Sequence, residues 1–285
     1  MEITLETSET IRDKVVGLLN TANGAVDKKH ALLCLKEIEE LIFRRTDVDE
    51  DDRSALLHEF SRHVIAFHLE SNVKIKCFVL SFIGTLAKSY PEQILKVLHA
   101  FVSLASDNHG DVVKKILHTG VYVYRRLLSL LFAQTSVSDK VSENLRDAVK
   151  MLSQLRSKLS RHINSDKDVL RSLTIRFIEC VILCHSTVTS DANTVKTSAR
   201  NARLSTLGAD SVSLSDISKK NPLFDATSFR KIGEQYTRDL LDVIFKLLQG
   251  TSVYSMSNIR VVFNTLASLG GHRSALMKII VPNLL

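Results

Sequence analysis

The stretch Asp168-Val169-Leu170-Arg171-Ser172-Leu173-Thr174-Ile175-Arg176-Phe177-Ile178-Glu179 decides the fold, because its opening phrase recurs along the chain. The phrase is Asp168-Val169-Leu170-Arg171 here, Asn72-Val73-Lys74 and Asp111-Val112-Val113-Lys114 upstream, and Asn258-Ile259-Arg260 downstream. Asp27-Lys28-Lys29 is a weaker version. In each, a polar residue precedes an apolar, mostly β-branched one and then a basic one. The polar side chain can cap a helix by accepting from unpaired N–H groups. The Val or Ile is expected to pack against the preceding helix, and the basic residue to reach the acidic turn of the next repeat.

The phrases are spaced by 45, 39, 57 and 90 residues. The first two intervals fit a two-helix HEAT-type repeat of about 40–47 residues. The third needs a longer first helix, and the last spans an insertion. Apolar periodicity predicts helices over 8–22, 27–45, 52–69, 72–89, 91–106, 111–133, 138–163, 167–186, 227–249, 255–270 and 274–284. Short links between them imply antiparallel neighbours. Thr7 and Ser8, Ser138-Asp139, and Asp166 with Asp168 are expected at helix starts, and Pro91 at a first turn. Three prolines, ten glycines and no tryptophan agree with long helices rather than many short strands.

The fold expected is therefore all-α: a HEAT/ARM-type α-solenoid superhelix of about five antiparallel helix pairs plus a terminal helix. The repeats cover 8–45, 52–89, 91–133, 138–186 and 227–270, with a partial one at 274–285, in a single domain over 1–285. One long loop, 187–226, interrupts them. It is rich in Ser, Thr, Asn and Asp and carries a basophilic kinase-like site at Arg200-Asn201-Ala202-Arg203-Leu204-Ser205.

Hydrophobic residues make up 45% of the chain, enough for a core, and the net charge of +7 permits an acidic partner without requiring one. No secretory signal is read at the N-terminus, and no run suits a membrane span. Cys34, Cys77, Cys180 and Cys184 show no CxxC spacing and read as reduced thiols, with Cys180 and Cys184 as small core residues rather than metal ligands. His58, His63 and His68 are five apart, which turns them away from one another on a helix. HExxH, P-loop, GxGxxG and nucleophile-elbow motifs are absent from the sequence. The expectation is no enzyme, no cofactor, no metal and no catalytic residue.

Several segments resemble the symplekin N-terminal family. They are Val73-Lys74-Ile75-Lys76-Cys77-Phe78-Val79-Leu80-Ser81-Phe82-Ile83, then Asp107-Asn108-His109-Gly110-Asp111-Val112-Val113-Lys114-Lys115, then Ser165-Asp166-Lys167-Asp168-Val169-Leu170-Arg171 continuing through Ile175 to Glu179. Ser213-Leu214-Ser215-Asp216-Ile217 with Asn221-Pro222, and the run from Gly233 to Arg273, complete the likeness. The region from Arg44 to Ser54 is longer than the family pattern, and the first helix of the fourth repeat diverges from it.

The resemblance implies a nuclear, non-catalytic scaffold of messenger-RNA 3′-end processing that holds cleavage and polyadenylation factors. It also implies that the domain binds and stimulates the phosphatase of the RNA polymerase II C-terminal domain through its concave face. Family proteins are far longer than 285 residues, so the resemblance implies an N-terminal fragment.

In HEAT arrays the second helices line the concave face. On the helix from Asp168, the residues Val169, Leu173 and Phe177 are expected on or near the apolar side. Ser172, Arg176, Glu179 and Leu183 recur at i, i+4, i+7 and i+11 on the opposite stripe. The matching stripe of the preceding second helix is Lys115, Thr119, Tyr122 and Arg126, and Arg260 and Asn264 take that place in the last one. These ten residues are the expected partner surface, with Arg176 foremost because the family has a basic residue there. Two alternatives stand beside it: a generic HEAT adaptor, and an RNA-binding solenoid using Lys114, Lys115, Arg125 and Arg126. Base readout is disfavoured, since the twelve phenylalanines fall mostly in apolar stripes.

Overall fold

A computed structural model describes residues 8–45, 48–137, 142–186, 223–248 and 255–283. Eleven α-helices and no strand occur among these residues. We number them α1 (Ser8–Gly24), α2 (Lys28–Phe43), α3 (Glu50–Ala66), α4 (Val73–Ser89), α5 (Ile94–Leu104), α6 (Gly110–Val137), α7 (Glu143–Ser160), α8 (Asp168–Cys184), α9 (Ala226–Leu248), α10 (Met256–His272) and α11 (Ser274–Ile280). Short 3-10 turns extend α3, α7 and α11, and another, Pro91–Gln93, leads into α5 with Pro91 at its first position. There the missing proline N–H leaves no donor unpaired. Most of the kinase-like site and loop expectations, residues 187–222, fall outside the described residues, as do Thr7 and Ser138-Asp139.

The fold is of the HEAT/ARM α-solenoid class. Its signature is which helices touch. α1 packs on α2 and α3, α2 on α3 and α4, α3 on α4 and α5, and α4 on α5. In the second half, α8 packs on α7, α9 and α10, while α9 and α10 pack on each other and on α11. α1, α2, α3, α8 and α9 thus each meet their own hairpin mate and the corresponding helix of the next hairpin, which is how paired helices hide stripes that one hairpin cannot bury alone.

The helices gather into two compact units, residues 1–119 and 120–285, with the boundary inside α6. The first unit is built on 3.6-residue periodicity. Ile11, Val15 and Leu19 on α1 and Ala31, Leu35, Ile38 and Ile42 on α2 are all buried. The Phe43 ring meets Phe82 edge-on at 5.3 Å and Tyr90 at 5.9 Å. In the second unit a cluster joins Ile175, Ile178 and Ile182 of α8, Leu240 and Leu241 of α9, Val262, Leu266 and Leu269 of α10, and Leu276 and Ile280 of α11. At about 25 cal/mol per Å2 of apolar surface removed from water, such clusters are the main source of stability.

Two glycines are required by close approach. A Cβ on Gly120 would lie 2.6 Å from the Leu159 Cδ1 methyl, where α6 meets α7. A Cβ on Gly233 would lie 3.0 Å from the His185 carbonyl oxygen, where α9 closes on the end of α8.

The cap expectation needs correction. Asp27 and Asn72 do cap: the Asp27 carboxylate accepts from Lys29 N–H, and Asn72 Oδ1 accepts from Lys74 and Ile75 N–H. Asp111, Asp168 and Asn258 instead lie inside their helices. Ser255 caps α10, accepting from Asn258 N–H, and Ser142 caps α7. Lys167 stands at the α8 cap position without a side-chain bond, and His109 Nδ1 accepts from Asp111 N–H at the start of α6. An acidic residue one position inside a helix still favours the positive end of the dipole, so Asp111 and Asp168 keep a role there.

Candidate partner-binding surface

Two basic residues of the recurrent phrase, Lys28 and Arg171, join repeats, by different chemistries, whereas Lys74 and Arg260 are exposed and close no ion pair with another described residue. In the first unit Lys28 pairs with Glu70 at 3.0 Å. The partner of Asp107 is Lys76, two residues beyond the expected Lys74, at 2.7 Å. Burial alone would raise the Asp107 carboxyl, but the Lys76 ammonium and the His109 N–H outweigh it and hold the group below its ordinary value.

In the second unit Arg171 is buried. Its Nε donates to Asn258 Oδ1 at 2.9 Å, one terminal nitrogen donates to the Ser165 carbonyl at 2.5 Å, and the other pairs with Asp168. Asn258, fully buried, donates through Nδ2 to the Asp168 carbonyl at 3.0 Å and to Ser172 Oγ at 2.8 Å. Its Oδ1 also accepts from Ser255 Oγ at 3.3 Å, so every hydrogen-bonding site of the amide is used. At the other end of α8, Arg273 donates to Ser186 Oγ and to the Leu183 carbonyl, at 3.1 and 3.2 Å. α8 is thereby tied to the next hairpin at both ends.

A third polar cluster sits between α6, α8 and α9. His185 Nδ1 lies 2.9 Å from the Phe229 carbonyl, which can only accept, so Nδ1 carries the proton and Nε2 accepts from the Tyr124 hydroxyl at 2.7 Å. The imidazole stacks on the Phe229 ring at 3.7 Å. Burial is the main reason its pKa falls to about 3; the Phe229 carbonyl opposes that fall and Arg156 adds to it. Burial likewise pushes the Tyr124 hydroxyl far up. The ring is neutral and serves as a structural pin.

These ties decide what is left exposed. Arg126 on α6, Arg176 on α8, and Arg260 and Asn264 on α10 are exposed, as expected. The three arginines close no ion pair with another described residue. Lys115 and Tyr122 are half-buried. Ser172 is half-buried and bonded to Asn258, so it joins repeats rather than facing a partner. Glu179 is half-buried against α10; burial raises its carboxyl, opposed by a hydrogen bond from Ser268 and by Arg176.

Four placements differ from expectation. Thr119 is buried, its hydroxyl donating to the Leu80 carbonyl at 3.4 Å, because α6 lies along α4. Leu183 is buried in the cluster of α8 to α11. Val169 is 55% exposed and Leu173 half-exposed, so both share the outer stripe with Arg176; Phe177 alone of that trio is fully buried. The sequence reading also missed Phe263, which is 46% exposed one position before Asn264. No signal separated it from the other phenylalanines of apolar stripes.

α6 and α8 touch through Tyr124 and Phe177, whose rings meet edge-on at 5.7 Å, and α8 touches α10 directly. Three successive second helices therefore stand side by side, each carrying an exposed arginine. No helix among the described residues is long and apolar enough to cross a membrane. Together these features define a class: an α-helical repeat protein whose second-helix row exposes basic side chains.

A family model described as Symplekin/PTA1 N-terminal matches residues 109–285. That is more than half of the chain, and the chain belongs to this family. Membership carries a scaffolding role in messenger-RNA 3′-end processing. The match begins in the turn before α6 and takes in the likenesses at the starts of α6 and α8 and from Gly233 onward; Val73–Ile83 lies outside it. Among solved structures, a designed armadillo repeat protein, YIII(Dq)4CqI, is similar at 11% identity and a TM-score of 0.35, covering 90% of this chain and 99% of its own.

Proposed function

We propose that the chain is the nuclear docking platform for the phosphatase of the RNA polymerase II C-terminal domain, with the row α6, α8 and α10 as the contact surface. The observation that carries this reading is the exposed set Arg126, Arg176, Arg260, Phe263 and Asn264 within the family-matched residues. Arginine and aromatic side chains supply most of the energy in protein interfaces, and this set has both. Its neighbours Glu179 and Tyr122, half-buried, form the drier edge. The backbone beneath is held by Arg171, Asn258 and Arg273, so binding need not order it first.

Stimulation follows if the platform binds the active conformation of the phosphatase more tightly than its resting one. The test is co-purification of the cognate phosphatase with wild-type chain and with Arg176→Glu combined with Tyr122→Ala, followed by phosphatase assay. Loss of both capture and stimulation, with helicity intact by circular dichroism, is the expected result. Undiminished capture by the double variant and by Phe263→Ala removes this surface from consideration.

A further inference from the structure

The first unit has a groove that no part of the preceding reading uses. It is an open groove between α2 and α4, with α6 at its edge, of about 400 Å3. Its walls are two helical stripes in register. Leu32, Lys36 and Glu39 recur at i, i+4 and i+7 on α2, and Lys74, Phe78 and Ser81 at the same spacing on α4. Lys115 reaches in from α6.

The floor is apolar or neutral. Phe78 is buried and Leu32 half-buried. Cys77 is a half-buried free thiol whose pKa is raised, first by burial and then by Asp111, so it adds no charge. The rim is basic. Lys36 and Lys74 are exposed and Lys115 is half-buried, and none of the three closes an ion pair within 4 Å of another described residue. This separates them from Lys28 and Lys76 on the same two helices, which bridge repeats. Glu39 is the acidic residue that lines the groove, and Asp111 and Asp107 act on Cys77 from beside it. Glu39 is raised by burial, against the pull of Arg44, Lys115 and Lys36.

The geometry points to a second docking site here, for an acidic peptide segment of a partner protein that places one apolar side chain over Leu32 and Phe78 while its flanking carboxylates meet Lys36, Lys74 and Lys115. A peptide fits better than RNA. The one aromatic residue lining the groove, Phe78, is only 6% exposed and so is not offered for base stacking. The site needs no phosphatase and is built wholly from residues of the first unit.

Cys77 supplies a direct readout, since Cys34, Cys180 and Cys184 are buried. The experiment uses the full 285-residue chain and a fluorescein-labelled peptide with one phenylalanine set among glutamates. A counterpart with glutamines and a single-stranded oligo(U) RNA serve as controls. Binding is followed by anisotropy, and maleimide labelling of Cys77 by mass spectrometry. The glutamate peptide is expected to bind, to slow Cys77 labelling, and to weaken about tenfold in Lys36→Ala/Lys74→Ala/Lys115→Ala, since three partly exposed pairs contribute roughly 0.5 kcal/mol each. Replacement of the three lysines by arginine should restore affinity. The proposal is overturned if the glutamine peptide binds equally well, if Cys77 labels at the same rate with peptide bound, if the triple alanine variant binds unchanged while folded by circular dichroism, or if RNA binds and the peptide does not compete.

Discussion

The two units join their repeats at the same place in the repeat but not in the same way. From α4 to the turn before α6 the link is one lysine–aspartate pair with side chains 21% and 14% exposed, and from α2 to the turn before α4 it is Lys28–Glu70, at 40% and 31%. From α8 to α10 it is Arg171 and Asn258, which share a dry network with no amide site unused. A half-wet pair is screened by water and salt and is readily exchanged for solvation. A buried network is costly to leave half made, so it fixes one arrangement of neighbouring helices. The proposed phosphatase surface rests on the second kind of link.

The largest effect that separates the units is acid sensitivity of the second. His185 is neutral when folded, with its pKa lowered to about 3 by burial, against about 6.5 when unfolded. The unfolded chain therefore binds the extra proton first. Stability present above pH 6.5 is lost as pH falls from there toward 3, by at most about 5 kcal/mol. Urea titrations read by circular dichroism between pH 7 and 4 should show this slope, and His185→Phe should flatten it. Parallel slopes in the two proteins assign the acid loss elsewhere.

Arg171→Leu comes next. It leaves the Ser165 carbonyl and Asn258 Oδ1 short of a charged donor, at a cost of about 3 kcal/mol. It should also weaken phosphatase capture while Arg176 is intact, because α8 and α10 lose their shared register. A loss below 1 kcal/mol in denaturant titration would erase the contrast between the two links. Lys76→Ala should cost about 1 kcal/mol, and the wild-type advantage should shrink in 1 M salt. The Asp107 side of that pair fails only in strong acid, as pH falls through a carboxyl already below its ordinary value. Lys28→Ala is the smallest change, about 0.5 kcal/mol or less, and a larger loss would show that the exposed ladder carries more than its geometry suggests.

Much of this was legible before any coordinates. The predicted helices overlap the eleven observed ones, because long apolar periodicity leaves little choice of secondary structure. Pro91 marked a helix start for a reason intrinsic to its ring. Caps were less legible. Ser255 and Asn258, or His109 and Asp111, lie within one turn of each other, and either member could satisfy the first N–H groups. The surface was legible in its arginines but not in Thr119 or Leu183. Periodicity gives an angle around a helix, whereas burial in a stack also depends on how far the next hairpin reaches along it. α11 and the end of α10 cover the last turn of α8, which takes Leu183 inside. Val169 and Phe263 erred the other way, since an apolar side chain carries no mark of being left in water.

The pin formed by Tyr124, His185 and Phe229 has a consequence for how this chain can be rearranged. It fastens the last turn of α8 to the first turn of α9 through residues 44 apart in sequence. Residues far apart in the chain thus share one fastening, which holds the start of α9 on the end of α8. A rearrangement that shifts the end of α8 must therefore carry the start of α9 with it.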